Sequence, residues 1–272
     1  MLSPRYSKVK KNGGYFPVSP LINILKLEQD KGDRMYERIR YIFQNSIEVE
    51  ERHTGRYGAP GKPRQKKEKA TPEQIEKQNQ RNREKKARRL IKANFRENDY
   101  WVTLTYRKEE RPGDIQEAAG IVSKMLRKLR DRYKRMGLKL KYIICTEQGS
   151  RGGIHHHIII NRAPDGDALI SDLWAHGHPD IKLLYRQGEY QDLAEYITKA
   201  PEKEGCKRKY SRSRNLVTPQ PEKRVMLRPT WNREPKPPKG YYLDKNTYYS
   251  GINPVSGHKY RSYMFIRLNR RD

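Results

Sequence analysis

Three histidines in a row, His155, His156 and His157, are set in the run Gly-Gly-Ile-His-His-His-Ile-Ile-Ile-Asn. The flanking isoleucines predict a β-strand, and Gly152-Gly153 predicts the turn before it. Side chains on a strand alternate between its faces, so His155 and His157 point one way and His156 the other. The preceding segment, Leu140-Lys-Tyr-Ile-Ile-Cys-Thr-Glu147, reads as a second strand ending in a carboxylate. The short link between them predicts a hairpin that brings Glu147 towards His155 and His157. Two imidazoles and a carboxylate with open positions suit a divalent ion, Mg²⁺ or Mn²⁺, that holds water and a substrate phosphate. A histidine pair on a strand can equally be a hydrogen-bonded surface pair, so the run alone does not decide.

Charge narrows the partners. The chain has 272 residues, with 60 Lys and Arg against 32 Asp and Glu, a net charge of +28. Such an excess points to a polyanion, foremost nucleic acid, with an anionic membrane surface as the weaker alternative. No run of about 18 apolar residues offers a membrane span. The N-terminal residues lack the apolar core of a signal peptide. Cys145 in an apolar strand and Cys206 in a basic loop suggest neither a disulfide framework nor a cysteine zinc site. These features predict a place in a reducing cytoplasm.

Along the chain, three regions are expected: a basic, partly helical extension over 1–97, a core domain over 98–200, and a basic, aromatic extension over 201–272. Tyr15-Phe-Pro-Val-Ser-Pro looks extended, and residues 21–51 could hold helices carrying Ile22, Ile24, Leu25 and Leu27. Residues 61–69 form a basic linker. Thr71-Pro72-Glu73 is a helix start, with a hydroxyl cap, a proline at the first position and an acid in the first turn. In the later part of that helix, 81–89, the charge is nearly all positive, which favours phosphate contact over a merely solvated face.

In the core, residues 100–106 predict a strand and 114–136 a long helix with Ile121, Val122, Met125, Leu126 and Leu129 at helical spacing. The hairpin follows, then a helix over 165–174, a strand over 180–185 and a helix over 190–199. This β-α-β-β-α-β-α order is that of an α+β, split β-α-β domain with an antiparallel, ferredoxin-like sheet. The last helix contains Tyr196-Ile-Thr-Lys199, which puts Tyr196 and Lys199 on one face. A tyrosine hydroxyl is a weak nucleophile at its ordinary pKa of about 10. A metal-polarised phosphate and a nearby ammonium both relax that requirement. Read alone, Tyr196 would be an amphipathic core residue and Lys199 a solvated end-of-helix cation.

Together, the Val102-Thr-Leu-Thr strand, Glu147, the triple histidine and Tyr196-Ile-Thr-Lys199 resemble the HUH superfamily of rolling-circle replication initiators. The nearest flavour is the small phage and plasmid Rep proteins of the filamentous-phage gene II type. The resemblance covers about residues 98–200, with a weaker echo in Ser211-Arg-Ser-Arg-Asn-Leu. It implies that Thr103-Leu-Thr is a structural first motif. It also implies that His155, His157 and Glu147 hold the metal, that Tyr196 is the nucleophile and that Lys199 assists it. His156 departs from the pattern by filling a slot usually hydrophobic, which leaves a second register open. A single tyrosine in this helix resembles the one-tyrosine subclass, and a tyrosine placed after the histidines separates the chain from relaxases.

The implied activity is metal-dependent nicking and strand transfer on single-stranded or origin DNA through a 5′-phosphotyrosine. The chain has no P-loop, so unwinding and synthesis would fall to a host helicase and polymerase. Tyrosines of the C-terminal extension, and Trp231, could stack on unpaired bases or pack against the core. One rival is a one-tyrosine transposase of the same chemistry, distinguished by hairpin element ends in place of an origin. The other is a basic DNA-binding protein that lost catalysis, against which the full residue set argues.

Overall fold

The computed structural model describes residues 8–11, 14–17, 35–53, 70–149, 152–185, 187–199, 207–228 and 230–268. It is α+β, and the chain forms two compact units. One spans Glu76–Pro219. The other combines Met1–Ile75 with Gln220–Asp272.

The first unit is built on a five-stranded, wholly antiparallel sheet. Its strands are β5 (Tyr100–Thr105), β6 (Tyr142–Gln148), β7 (Ile154–Ile160), β8 (Pro179–Leu183) and β9 (Lys207–Arg212), in the spatial order β8-β5-β7-β6-β9. The central strand β7 is buried on nearly every residue because helices cover both faces. On one face Val102, Leu104, Ile158 and Ile160 meet α2 (Ile115–Arg135) and α3 (Gly166–Leu173). On the other, Ile143 and Ile159 meet α1 (Pro72–Asn94) and α4 (Gln191–Thr198).

Local chemistry sets these helices. Thr71 Oγ1 accepts from Gln74 N at 3.3 Å while Gln74 Oε1 accepts from Thr71 N at 3.1 Å, a reciprocal capping box at the start of α1. Asp114 caps α2 by accepting from the backbone N–H groups of Gln116 and Glu117. The stripe Ala118, Val122, Met125, Leu126, Leu129 and Tyr133 buries α2, and Gly137 closes it at φ +72°. The expected core elements are all present within a few residues of their predicted bounds. The strand β9, on the edge beside β6, is an addition to them.

The second unit holds another five-stranded antiparallel sheet, ordered β10-β3-β4-β12-β11. Its strands are β3 (Tyr36–Ile42), β4 (Ser46–Arg52), β10 (Glu222–Met226), β11 (Tyr241–Ile252) and β12 (Lys259–Arg267). A separate hairpin pairs β1 (Lys8–Lys11) with β2 (Gly14–Pro17), which agrees with the extended reading near Tyr15. The helices expected over 21–51 are corrected here for the described part: residues 36–52 are a strand pair. β3 is rich in β-branched and aromatic residues, Ile47 and Val49 alternate with acids along β4, and β4 gains a partner in β12 from the far end of the chain. Residues 21–34, the linker at 61–69 and Cys206 lie outside the described residues.

Trp231 packs within this unit. Its ring meets Tyr36 edge-on at 5.5 Å, and the Arg261 guanidinium lies 5.4 Å from its centroid. Arg261 and Arg38 converge on Glu51, whose side chain is fully buried. Tyr242, Tyr248 and Tyr249 stay exposed.

Candidate metal and tyrosine site

Register builds the site. Glu147 pairs with His155, and Cys145 with His157, across the β6–β7 hairpin. Gly152 turns that hairpin at φ +76°, a conformation that favours glycine. On the far side of β7, Thr103 pairs with His157. Alternation therefore puts Thr103, Glu147, His155 and His157 on the face shared with α4, and Thr146, Leu104 and His156 on the opposite one.

Glu147, His155 and His157 offer three ligand atoms, all within 4.8 Å of one another. Glu147 Oε1 lies 2.7 Å from His155 Nε2 and 3.5 Å from His157 Nε2. Two ligands on adjacent corners of an octahedron with bonds of ~2.1 Å lie ~3 Å apart, so these spacings fit a small divalent ion. Hard carboxylate oxygen with imidazole nitrogen suits Mg²⁺ less well than Mn²⁺ but admits both. Partial burial limits the competition from water, with side-chain exposures of 20%, 28% and 10% for Glu147, His155 and His157.

The ring of His157 is fixed from two sides. Thr103 Oγ1 lies 3.2 Å from its Nδ1, and Trp101 stacks on it at 5.4 Å with planes 10° apart. The Thr103 contact leaves Nε2 aimed at the cluster, the outer-shell arrangement that orients a metal-binding imidazole. His156 is a different residue. It is fully buried, with Nδ1 2.8 Å from Thr146 Oγ1 and Nε2 2.7 Å from Tyr106 Oη. Burial pushes its pKa down to about 3, so it is neutral. His156 thus points into the opposite core, between Thr146 and Tyr106.

Tyr196 reaches the cluster from α4. Its hydroxyl lies 2.6 Å from His157 Nε2 and 3.1 Å from Glu147 Oε1. Its one proton can go to either acceptor. Ala194 and Ile197 dock α4 on the sheet, which leaves Tyr196 on the exposed side, 36% accessible. Tyr190 is buried, at 5% exposure, in the core that α1 and α4 form with the sheet. Lys199 is exposed at the C-terminal end of α4, where its backbone N–H donates to Glu195 O at 2.8 Å.

Helix α1 braces α4, a role that its cap and charge do not announce. Lys92 Nζ lies 3.2 Å from Glu189 Oε2, and both side chains are buried. Glu189 and Tyr190 immediately precede α4 and both take positive φ, 52° and 63°. The Arg88 guanidinium donates to Gln191 Oε1, and Gln80 Nε2 donates to Thr198 O at 3.3 Å. Ala87, Leu90 and Ile91 supply the apolar contact. Trp101 also belongs to the site although no motif flags it. Its position two residues before Thr103 places it on the site's face by strand alternation alone.

The sheet and the cluster define an α+β fold compatible with a split β-α-β HUH endonuclease. Residues 99–201, less than half of the chain, match the family model of replication-associated proteins of the ORF2 and gene II protein type. The matched stretch contains Glu147, His155, His157, Tyr196 and Lys199, so over these residues the chain is similar to replication-associated proteins. No curated protein and no solved structure matches the chain. Among the described residues, no helix is long and apolar enough to cross a membrane.

Proposed function

We propose that the protein is a metal-dependent endonuclease and strand transferase for single-stranded origin DNA that initiates rolling-circle replication. The observation that carries this reading is the Tyr196 hydroxyl, 2.6 Å and 3.1 Å from the two atoms His157 Nε2 and Glu147 Oε1. A nucleophile is held at the group that would bind its electrophile, which is how proximity lowers a bimolecular barrier.

Glu147, His155 and His157 would hold a divalent ion, which supplies Lewis-acid polarisation of the scissile phosphate. Thr103 and Trp101 keep the His157 ring in place. Tyr196 attacks phosphorus: its O–P bond forms as the bond from phosphorus to the 3′ oxygen breaks. The phenolic proton passes to solvent water, and the departing 3′ oxygen takes a proton from solvent and leaves as a hydroxyl. Lys199 assists by favouring the phenolate and the phosphate oxyanion. The 5′-phosphotyrosine is one phosphodiester exchanged for another, so the same residues can rejoin the strand. Basic side chains, including the outer face of α1, contribute salt-sensitive affinity for the strand. A host helicase and polymerase would unwind and copy the duplex.

The test is incubation of the purified protein with single-stranded DNA of its own replicon, with and without Mn²⁺. The expected product is a covalent protein–DNA species that survives denaturation, requires the metal and maps by mass spectrometry to Tyr196. Tyr196→Phe removes only the hydroxyl and should abolish it. Adduct on another tyrosine, or metal-dependent cleavage without any adduct, would overturn the reading.

A further inference from the structure

Beside the cluster, on the same face of the sheet, lies a cleft of about 560 Å³. Trp101, Leu184, Tyr185 and Leu193 form its apolar walls, and Lys182 and Asp192 add one charge of each sign. We propose that this cleft holds one nucleobase of the DNA strand, next to the phosphate at the cluster, and selects bases that carry an exocyclic amine. The proposal rests on the reading of Tyr196 and its neighbours as a DNA-cleaving site.

Three observations carry it. First, the cleft and the cluster share a wall. The Trp101 ring that lines the cleft also stacks on His157 at 5.4 Å and meets the Tyr196 ring edge-on at 6.0 Å. A strand with its phosphate at Glu147, His155 and His157 therefore has its neighbouring nucleoside at the mouth of the cleft. Second, the walls offer what a base needs. Tyr185 is 68% exposed, a large aromatic group that core packing does not account for, and it faces the same cleft as Trp101. Aromatic walls accept the flat face of an unpaired base and exclude water from it. Third, the charges suit a base edge. The Asp192 carboxylate can accept from the amine of cytosine, adenine or guanine, while Lys182 can donate to a ring nitrogen or carbonyl. Thymine has no exocyclic amine to offer Asp192.

The experiment uses the full chain with EDTA, so that binding is read without chemistry. Affinities for the 20-mers dC20, dA20 and dT20 are measured by fluorescence anisotropy at fixed salt, and 5-iodo-substituted dC20 is photo-cross-linked. The wild type should prefer dC20 and dA20 to dT20 and cross-link at Trp101 or Tyr185. Because Tyr185 is largely exposed, Tyr185→Ala should leave the melting temperature unchanged. It should weaken dC20 binding by roughly 5- to 150-fold, the range for losing one base–aromatic stack. Tyr185→Phe, which keeps the ring, should restore it. Asp192→Asn should narrow the gap between dC20 and dT20. Cross-links confined to other segments, or a Tyr185→Ala affinity within twofold of wild type, would overturn the proposal. Base binding in the cleft without any Mn²⁺-dependent adduct would instead sink the nuclease reading and leave the cleft assignment standing.

Discussion

The Lys92–Glu189 pair offers the sharpest test of how the tyrosine helix is held. Its charged atoms are 3.2 Å apart, and the side chains are only 2% and 6% exposed. Lys92→Met keeps most of the apolar stem but leaves the Glu189 carboxylate buried without this ammonium. Breaking a buried pair from one side costs about 3–5 kcal/mol, most of it the penalty of the stranded charge. Glu189 and Tyr190 already sit in the left-handed region, at ~1–2 kcal/mol each for a residue with a side chain. Relaxing this turn relieves both costs, so the response should be local release of α4 rather than global unfolding. A loss of 3–5 kcal/mol shifts the docked-to-released ratio between about a hundred- and several-thousand-fold. Hydrogen exchange of the amides in Gln191–Thr198 reads that ratio directly. Those amides should lose protection while α2 and β7 keep theirs, and covalent adduct formation should fall with them. Lys92→Met/Glu189→Leu, which removes both charges, should recover much of the protection. If Lys92→Met exchanges like the wild type along α4, the brace is not what orders the tyrosine, and the argument fails.

Other outcomes follow from the site. His155→Ala and His157→Ala should each abolish Mn²⁺-dependent adduct formation, yet leave single-stranded DNA affinity within a few fold. His156→Ala should instead cost stability, about 3 kcal/mol or more in urea unfolding, because it opens a cavity and strands the Tyr106 and Thr146 hydroxyls. The low pKa of His156, about 3 in the fold against 6.5 unfolded, fixes a sign. Its contribution is fully present above pH 6.5 and is lost as pH falls towards 3, by up to ~1.4 kcal/mol per pH unit, because only the unfolded chain takes the proton. Urea midpoints between pH 7 and pH 4 should show that slope, and His156→Ala should flatten it. Lys199→Ala should slow adduct formation in single-turnover assays without moving the cut.

Much of the core is legible because its signals are local. The strand at Tyr100–Thr105, the α2 stripe, the hairpin and the helix carrying Tyr196 each announce themselves by period, cap or turn residue within a dozen positions. Strand alternation alone puts His155 and His157 together and His156 apart, and the structure agrees to the atom: His156 is sealed between Thr146 and Tyr106. The second sheet is not legible. β4 gains a neighbour in β12, more than 200 residues away, and no local pattern announces a partner at that distance. The expectation of helices over 21–51 fails for the described residues 36–51: Ile47 and Val49 do alternate with Glu48 and Glu50, but the strand is completed by pairing with β12 at the far end of the chain. The basic helix α1 shows the same division. Its cap and charge are written in sequence, but Lys92 finding Glu189, and Gln80 finding Thr198, are contacts between segments about a hundred residues apart. Which residue types can do the chemistry, and which strand face each occupies, thus follow from local order along the chain. That Tyr196 meets Glu147 and His157 does not, because the meeting depends on where α4 docks, and docking is set by side chains that converge from distant parts of the chain.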